Sequence, residues 1–167
     1  MKISDTFLPE FDMEMANTRK ALERVPDAKF SWKPHQKSWH MGGLAGHLAN
    51  LPGWGTTTIN TEELNLVPPF TQPPMNNSAE MLAVFDKNVS EARAAIAGAS
   101  NDHLMGPWSL KVQGKTVLTM PRVAVLRNMV FNHIVHHRGQ LTVYLRLNDI
   151  PVPGMYGPSA DEPNMFG

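Results

Sequence analysis

Asn132-His133-Ile134-Val135-His136-His137-Arg138-Gly139-Gln140-Leu141-Thr142-Val143-Tyr144-Leu145-Arg146 is the stretch on which the reading of this sequence turns. It sits in a longer run, about 121 to 148, whose apolar residues recur at three- and four-residue steps and predict a helix. Pro121 opens the run, where a first helical turn tolerates proline; Asn148, Asp149 and Pro151 close it. Set at about 100° per residue, Leu126, Met129, Val130, His133, His137, Gln140, Leu141, Tyr144 and Leu147 form one stripe, which is expected to face the core. His133 and His137 are four apart on that stripe, one imidazole above the other. Two helical histidines chelate one ion at this spacing. His136 lies at the edge of the stripe.

Upstream, the same periodicity predicts three more helices. Residues 4–24 carry Phe7, Leu8, Phe11, Met15, Thr18 and Leu22 at helical steps, with Ser4 or Asp5 as cap and Pro26 beyond the end. Residues 26–40 form a connector whose Trp32 and Trp39 are too apolar for a free loop and are expected to pack on the bundle. A second helix runs from about Met41 to Thr61, with Leu44, His47, Leu48 and Leu51 on one face; Pro52-Gly53 is expected to kink or interrupt it. A loop from 62 to 77 follows, holding Pro68, Pro69, Pro73 and Pro74, of a length often found in a lid or an edge. The third helix starts at Ser78 and buries Met81, Leu82, Phe85, Val89, Ala92 and Ile96. Residues 108–119 then alternate apolar and polar around Gln113-Gly114, which reads as a small hairpin before the last helix. The tail from 150 to 167, rich in Pro and Gly, is expected to be irregular. The whole is an all-α chain, one domain over 1–167, built as an up-and-down four-helix bundle with a β-hairpin insertion.

Two imidazoles do not make a tight site. His47 is the best third donor, on the apolar face of the second helix in Gly42-Gly43-Leu44-Ala45-Gly46-His47, whose small residues would let another helix come close. His35, His40 and His103 fall in connectors and are expected to be exposed. The plainer reading is that each histidine is a satisfied core residue, and a lone H-x-x-x-H does arise by chance. Against it, a buried polar group without a partner costs about 1–3 kcal/mol, and adjacent imidazolium cations repel, so neutral rings poised as ligands are favoured. Tyr144 is a further candidate, placed to donate a hydrogen bond near a bound substrate. Of the four tryptophans, Trp32, Trp39, Trp54 and Trp108, some could line a pocket and at least two are expected to fill gaps between helices.

Composition narrows the partners. Fifteen Lys and Arg balance fifteen Asp and Glu, so nothing provides the basic excess that nucleic-acid binding needs. The apolar stretch near 123–135 is broken by Arg127, Asn128, Asn132 and His133, too short and polar to span a bilayer. Met1-Lys2 leads into a polar segment with no signal-peptide character. There is no cysteine, which fits a cytoplasmic, reducing setting and leaves His and carboxylates as the metal donors.

The segment 132–146, with Gly46-His47-Leu48 upstream, resembles the DinB superfamily of metal-binding four-helix bundles, in element order over nearly the whole chain. The resemblance implies three His ligands, one from the second helix and two spaced by four on the last, at the positions of His47, His133 and His137. It also implies a homodimer and a small-molecule substrate, with relatives that include thiol-dependent transferases or isomerases and hydrolases. Three neutral imidazoles suit Zn2+ or Ni2+ and leave a coordination position open, the catalytic pattern. The expected function is a divalent-metal-dependent, thiol-dependent transferase, the low-molecular-weight thiol being a cosubstrate because the chain has no sulfur nucleophile. The alternatives are a metal-dependent hydrolase and a non-catalytic metal- or small-molecule-binding stress protein. No Asp or Glu near the histidines in sequence offers itself as a general base, which favours thiolate chemistry.

Overall fold

The computed structural model describes residues 1–69 and 75–164. Helices α1 (Ile3–Leu22), α2 (Met41–Asn60), α3 (Ser78–Gly98) and α6 (Asn132–Arg146) form the bundle. A strand β1 (Glu63–Leu66) follows α2, and a short helix α4 (Asn101–Met105) follows α3. Then come β2 (Pro107–Val112), β3 (Lys115–Pro121), a helical turn α5 (Arg122–Val125) and a π-helical turn over Leu126–Phe131 that runs into α6. The mostly helical architecture with a small sheet before the last helix is the one expected. The helix contacts add the arrangement: α1 and α2 each pack on both α3 and α6, so consecutive α1 and α2 face each other across the bundle diagonal. The core between them holds Phe7, Phe11, Met15, Leu48, Met81, Phe85, Phe131 and Leu141.

Local chemistry sets the boundaries. The Asp5 carboxylate reaches back to accept from the Lys2 backbone N–H, so the cap lies at Lys2, ahead of both Ser4 and Asp5. The Asn77 side chain accepts from the Glu80 N–H and caps α3 ahead of Ser78. Pro52 does not interrupt α2. Its missing N–H removes only one ladder bond, and Asn88 of α3 donates to the neighbouring Ala49 carbonyl (2.9 Å), tying the two helices at that point. Gly42 and Gly43 receive the connector: a Cβ on Gly42 would sit 2.5 Å from the Phe30 ring, and one on Gly43 3.1 Å from that of His40. The close helix approach lies about two and a half turns beyond Gly46, where a Cβ on Gly55 would come within 3.3 Å of Ala92.

The expected hairpin is present as β2–β3, antiparallel, turning at Gln113 and Gly114, both at positive φ. The segment read as a loop contributes a strand: β1 pairs parallel with β2, in the sheet order β1-β2-β3. β1 is four residues long and only half shielded on alternate positions, so its pattern is too short to distinguish from loop without its partner. Pro73 and Pro74 of that expected loop lie outside the described residues. Trp108 is buried in the sheet's own core with Leu110 and Val125. Arg122, also buried, anchors the insertion: its guanidinium donates to the carbonyls of Thr58 and Thr61 at the end of α2 and of Pro107 on β2, and pairs with Glu62. Described tail residues carry no helix or strand, as expected, but Arg146–Asp161 and Arg24–Glu162 ion pairs strap them to the bundle. Among the described residues no helix is long and apolar enough to cross a membrane.

The expected core stripe of the last helix is displaced by one residue. Leu126, Val130 and Leu141 are buried as read, but the other buried positions of α6 are Ile134, Arg138 and Leu145, while Gln140 and Leu147 are exposed. The cause is the π turn between 126 and 131. It holds one residue more than an α turn, so every later side chain is rotated by one position. His133 and His137 therefore sit at the margin of the core, half-buried, and Arg138 takes the inward place.

Candidate metal centre

Helix α2 brings His47, and the rotated α6 brings His133 and His137, to one point. One ring nitrogen from each lies within 4.8 Å of the other two, and this is the group of metal-ligand type that the described residues form. The Nε2 atoms of His47 and His133 are 3.3 Å apart. Two nitrogens at about 2.0–2.1 Å from one tetrahedral ion stand about 3.3–3.4 Å apart, so this pair is already at ligand spacing. The three rings meet edge-on or tilted, centroids 4.7–5.0 Å apart, rather than stacked.

The rings of His137 and His133 are held from behind. His137 Nδ1 lies 2.7 Å from Gln140 Oε1, a carbonyl-type oxygen that accepts, so Nδ1 carries the proton and Nε2 is left with its lone pair. The Met129 backbone engages His133 in the same sense. Burial lowers the His47 pKa to about 4, helped by the fields of His137 and then His133. Burial is also the first cause that lowers His133 and His137 below the ordinary imidazole value. All three rings are thus neutral near pH 7, the state in which imidazole ligates a metal. His137 and His133 lower His47, His137 also lowers His133, and His136 lowers both His133 and His137. The donor set, its spacing and its protonation all fit a borderline divalent ion.

Trp39 covers this group. Its indole stacks on His137 (centroids 5.8 Å, 18° between planes) and stands edge-on to His47 (5.0 Å), while about half of the residue remains exposed. Trp32 packs on the core instead, edge-on to Tyr144. Tyr144 is not brought into the imidazole group: its hydroxyl donates to the Trp39 carbonyl (3.3 Å) and so holds the connector that carries the covering indole. His136 is exposed, with its ring 4.8 Å from that of His137. His35 and His40 are exposed as expected, whereas His103 is half-buried with Nε2 donating to the Ile59 carbonyl (2.8 Å). The roles of Trp39 and Gln140 went unread in the sequence. Gln140 was within reach, three residues after His137 on a helix; Trp39 had no local signal, because the connector that carries it has no period.

With this geometry in view, comparison with known proteins gives a direct result: the DinB family model matches residues 1–165. The chain belongs to the DinB family. Among curated relatives, the uncharacterized protein YrdA of Bacillus subtilis (strain 168) is 30% identical over 164 residues, spanning 98% of this chain and 93% of that one. Two solved structures share the DinB fold. A DinB-like protein from Bacillus cereus ATCC 10987 superposes with a TM-score of 0.71 at 22% identity, covering 93% of this chain and 98% of the other. The DinB-like protein YjoA from Bacillus subtilis gives 0.68 at 16% identity, covering 96% and 99%. At these identities the two structures speak to the fold alone.

Proposed function

We propose that this DinB-family chain holds one divalent transition ion, Zn2+ or Ni2+, on His47, His133 and His137. We further propose that it acts as a thiol-dependent transferase on a small electrophilic molecule in a reducing cytoplasm. The observation that carries the reading is the convergence of three neutral imidazoles at a half-exposed margin of the bundle. When bound, such an ion supplies Lewis acidity that lowers the pKa of a thiol or water placed on its open position.

The chain's own residues supply the rest. Gln140 fixes the proton of His137 on Nδ1 and the ring's orientation with it. Trp39 shields one side of the group from water. The chain has no cysteine, so the sulfur comes from a cosubstrate. Hydrolysis would need a base for water, and the group that could serve is His136, exposed beside His137.

Metal analysis of the purified protein tests the ligand set. One ion per chain is expected in the parent and in His136→Ala, with loss in His47→Ala, His133→Ala and His137→Ala; full occupancy in any of those three removes that residue from the set. Adding a panel of low-molecular-weight thiols to cobalt-loaded protein tests the chemistry. A near-ultraviolet charge-transfer band that is absent in His137→Ala supports transfer. No band with any thiol, together with ester or amide cleavage by the loaded protein, replaces transfer by hydrolysis.

A further inference from the structure

A cleft of about 310 Å3 opens beside the start of α2, lined by Phe30, Ser31, Lys33, His40, Met75 and Asn76. That is the lower end of the volumes, about 300–1,000 Å3, in which small molecules bind. The cleft lies outside the imidazole group but is joined to it on two walls. His40 lines the cleft, while the residue before it, Trp39, lays its indole against His47 and His137. On the other wall, Met75 Sδ lies 3.5 Å from where a Cβ on Gly46 would stand, and Gly46 immediately precedes His47.

The lining has a definite chemistry. Phe30 and Met75 provide apolar surface, and Met side chains adapt to irregular ligands. Lys33 is the lining residue with a permanent charge. Its ammonium has three donors, and it gives one to the Gln36 carbonyl (3.3 Å). Two carboxylates nearby are hydrogen-bonded at and just before the start of α3. Asp27 Oδ1 accepts from the Ser78 N–H, and Glu80 Oε2 accepts from the N–H and the side-chain amide of Asn76. The first turn of α2 carries no acidic residue.

We propose that this cleft is a substrate subsite for a small amphiphilic carboxylate. The carboxylate pairs with Lys33, the apolar body lies on Phe30 and Met75, and the reactive end extends past Trp39 to the imidazole group. The last part rests on the function proposed above; binding in the cleft does not. Placing the non-reacting charge at one end and the reacting centre at the other gives the enzyme a handle on its substrate remote from the chemistry, from which orientation is obtained.

The test is a two-dimensional NMR titration of the full chain with hexanoate and, separately, with 1-hexanol. Hexanoate is expected to give saturable shifts at the amides of residues 30–33, 40–43 and 75–76, with affinity roughly tenfold above hexanol, about 1.4 kcal/mol. Lys33→Ala should remove that difference and Lys33→Arg should keep it. Lys33 is exposed, so both variants are expected to fold. Hexanoate should bind the metal-free protein as it binds the metal-loaded one, so a failure of the metal reading leaves this result standing. Equal affinity for the alcohol and the carboxylate, retention of the preference in Lys33→Ala, or shifts confined to other residues would overturn the proposal.

Discussion

Replacing Arg138 by methionine is expected to be one of the most damaging single changes in this protein. Arg138 is 2% exposed and its partner Glu14 6%, so the pair lies within the core between α6 and α1. One guanidinium nitrogen donates to the Glu14 carbonyl and to Thr18 Oγ1, both at 3.0 Å; the other donates to Glu14 Oε2 at 2.6 Å and to the Tyr156 hydroxyl. The Tyr156 hydroxyl in turn donates to the Glu14 carboxylate, whose oxygens lie at 2.7 and 2.8 Å, and so closes the tail over the pair. Methionine fills much of the volume but leaves the Glu14 carboxylate buried with the tyrosine as its remaining partner. Removing one member of a buried pair costs about 3–5 kcal/mol. At about 2–4 °C per kcal/mol for a chain of this size, the midpoint of thermal unfolding should fall by roughly 6–20 °C. The double variant Glu14→Leu with Arg138→Met removes both charges and should recover most of the loss, because desolvating the pair offsets much of its attraction. Urea unfolding of the parent, both single variants and the double variant measures the coupling. Parental stability in Arg138→Met, or a double variant as unstable as the sum of the singles, would refute the buried-pair account and with it the rotated register of α6.

Gln140→Leu removes the acceptor that fixes the His137 tautomer, and metal affinity measured by chelator competition should fall about tenfold, the lower end of the effect for such supporting partners; an unchanged affinity would show that His137 needs no orienting bond. Because the folded imidazoles titrate below the ordinary value, His47 at about 4, protons compete with the ion only well below pH 6.5, and dialysed samples should retain metal at pH 6 and lose it towards pH 4. In metal-free protein the unfolded chain takes up these protons first, near 6.5, so stability should be flat above that pH and decline as pH falls from about 6.5 towards 4; a stability that rises on acidification across that window contradicts the neutral-ring assignment. Arg122→Met strips the donors from the Thr58, Thr61 and Pro107 carbonyls, and the near-ultraviolet circular dichroism of Trp108 should weaken as the sheet loosens, at a cost of about 1–3 kcal/mol.

Residue spacing alone carried the elements whose period is long: α1, α2, α3 and the last helix are legible because an amphipathic pattern repeats over several turns. It also carried the pairing of His133 with His137, since an interval of four on a helix is a distance as well as a count, and the choice of His47 from its place on an apolar face. The charge balance and the missing cysteine set the donor chemistry before any fold was in view. Three things belonged to the tertiary structure. The π turn at 126–131 is a local winding with no residue signature in this stretch, and it decides that Ile134 and Arg138 face inward while the two histidines face the margin. Strand β1 exists only because β2 is there to pair with it, four residues being too few to show a period. Trp39 reaches the imidazole group through a connector whose path is set by Gly42 giving room to Phe30 and by Tyr144 holding the Trp39 carbonyl, contacts between residues 12 and 105 positions apart. Sequence patterns report the residues that repeat along one element; they are silent on phase shifts inside an element and on contacts that only packing brings within reach.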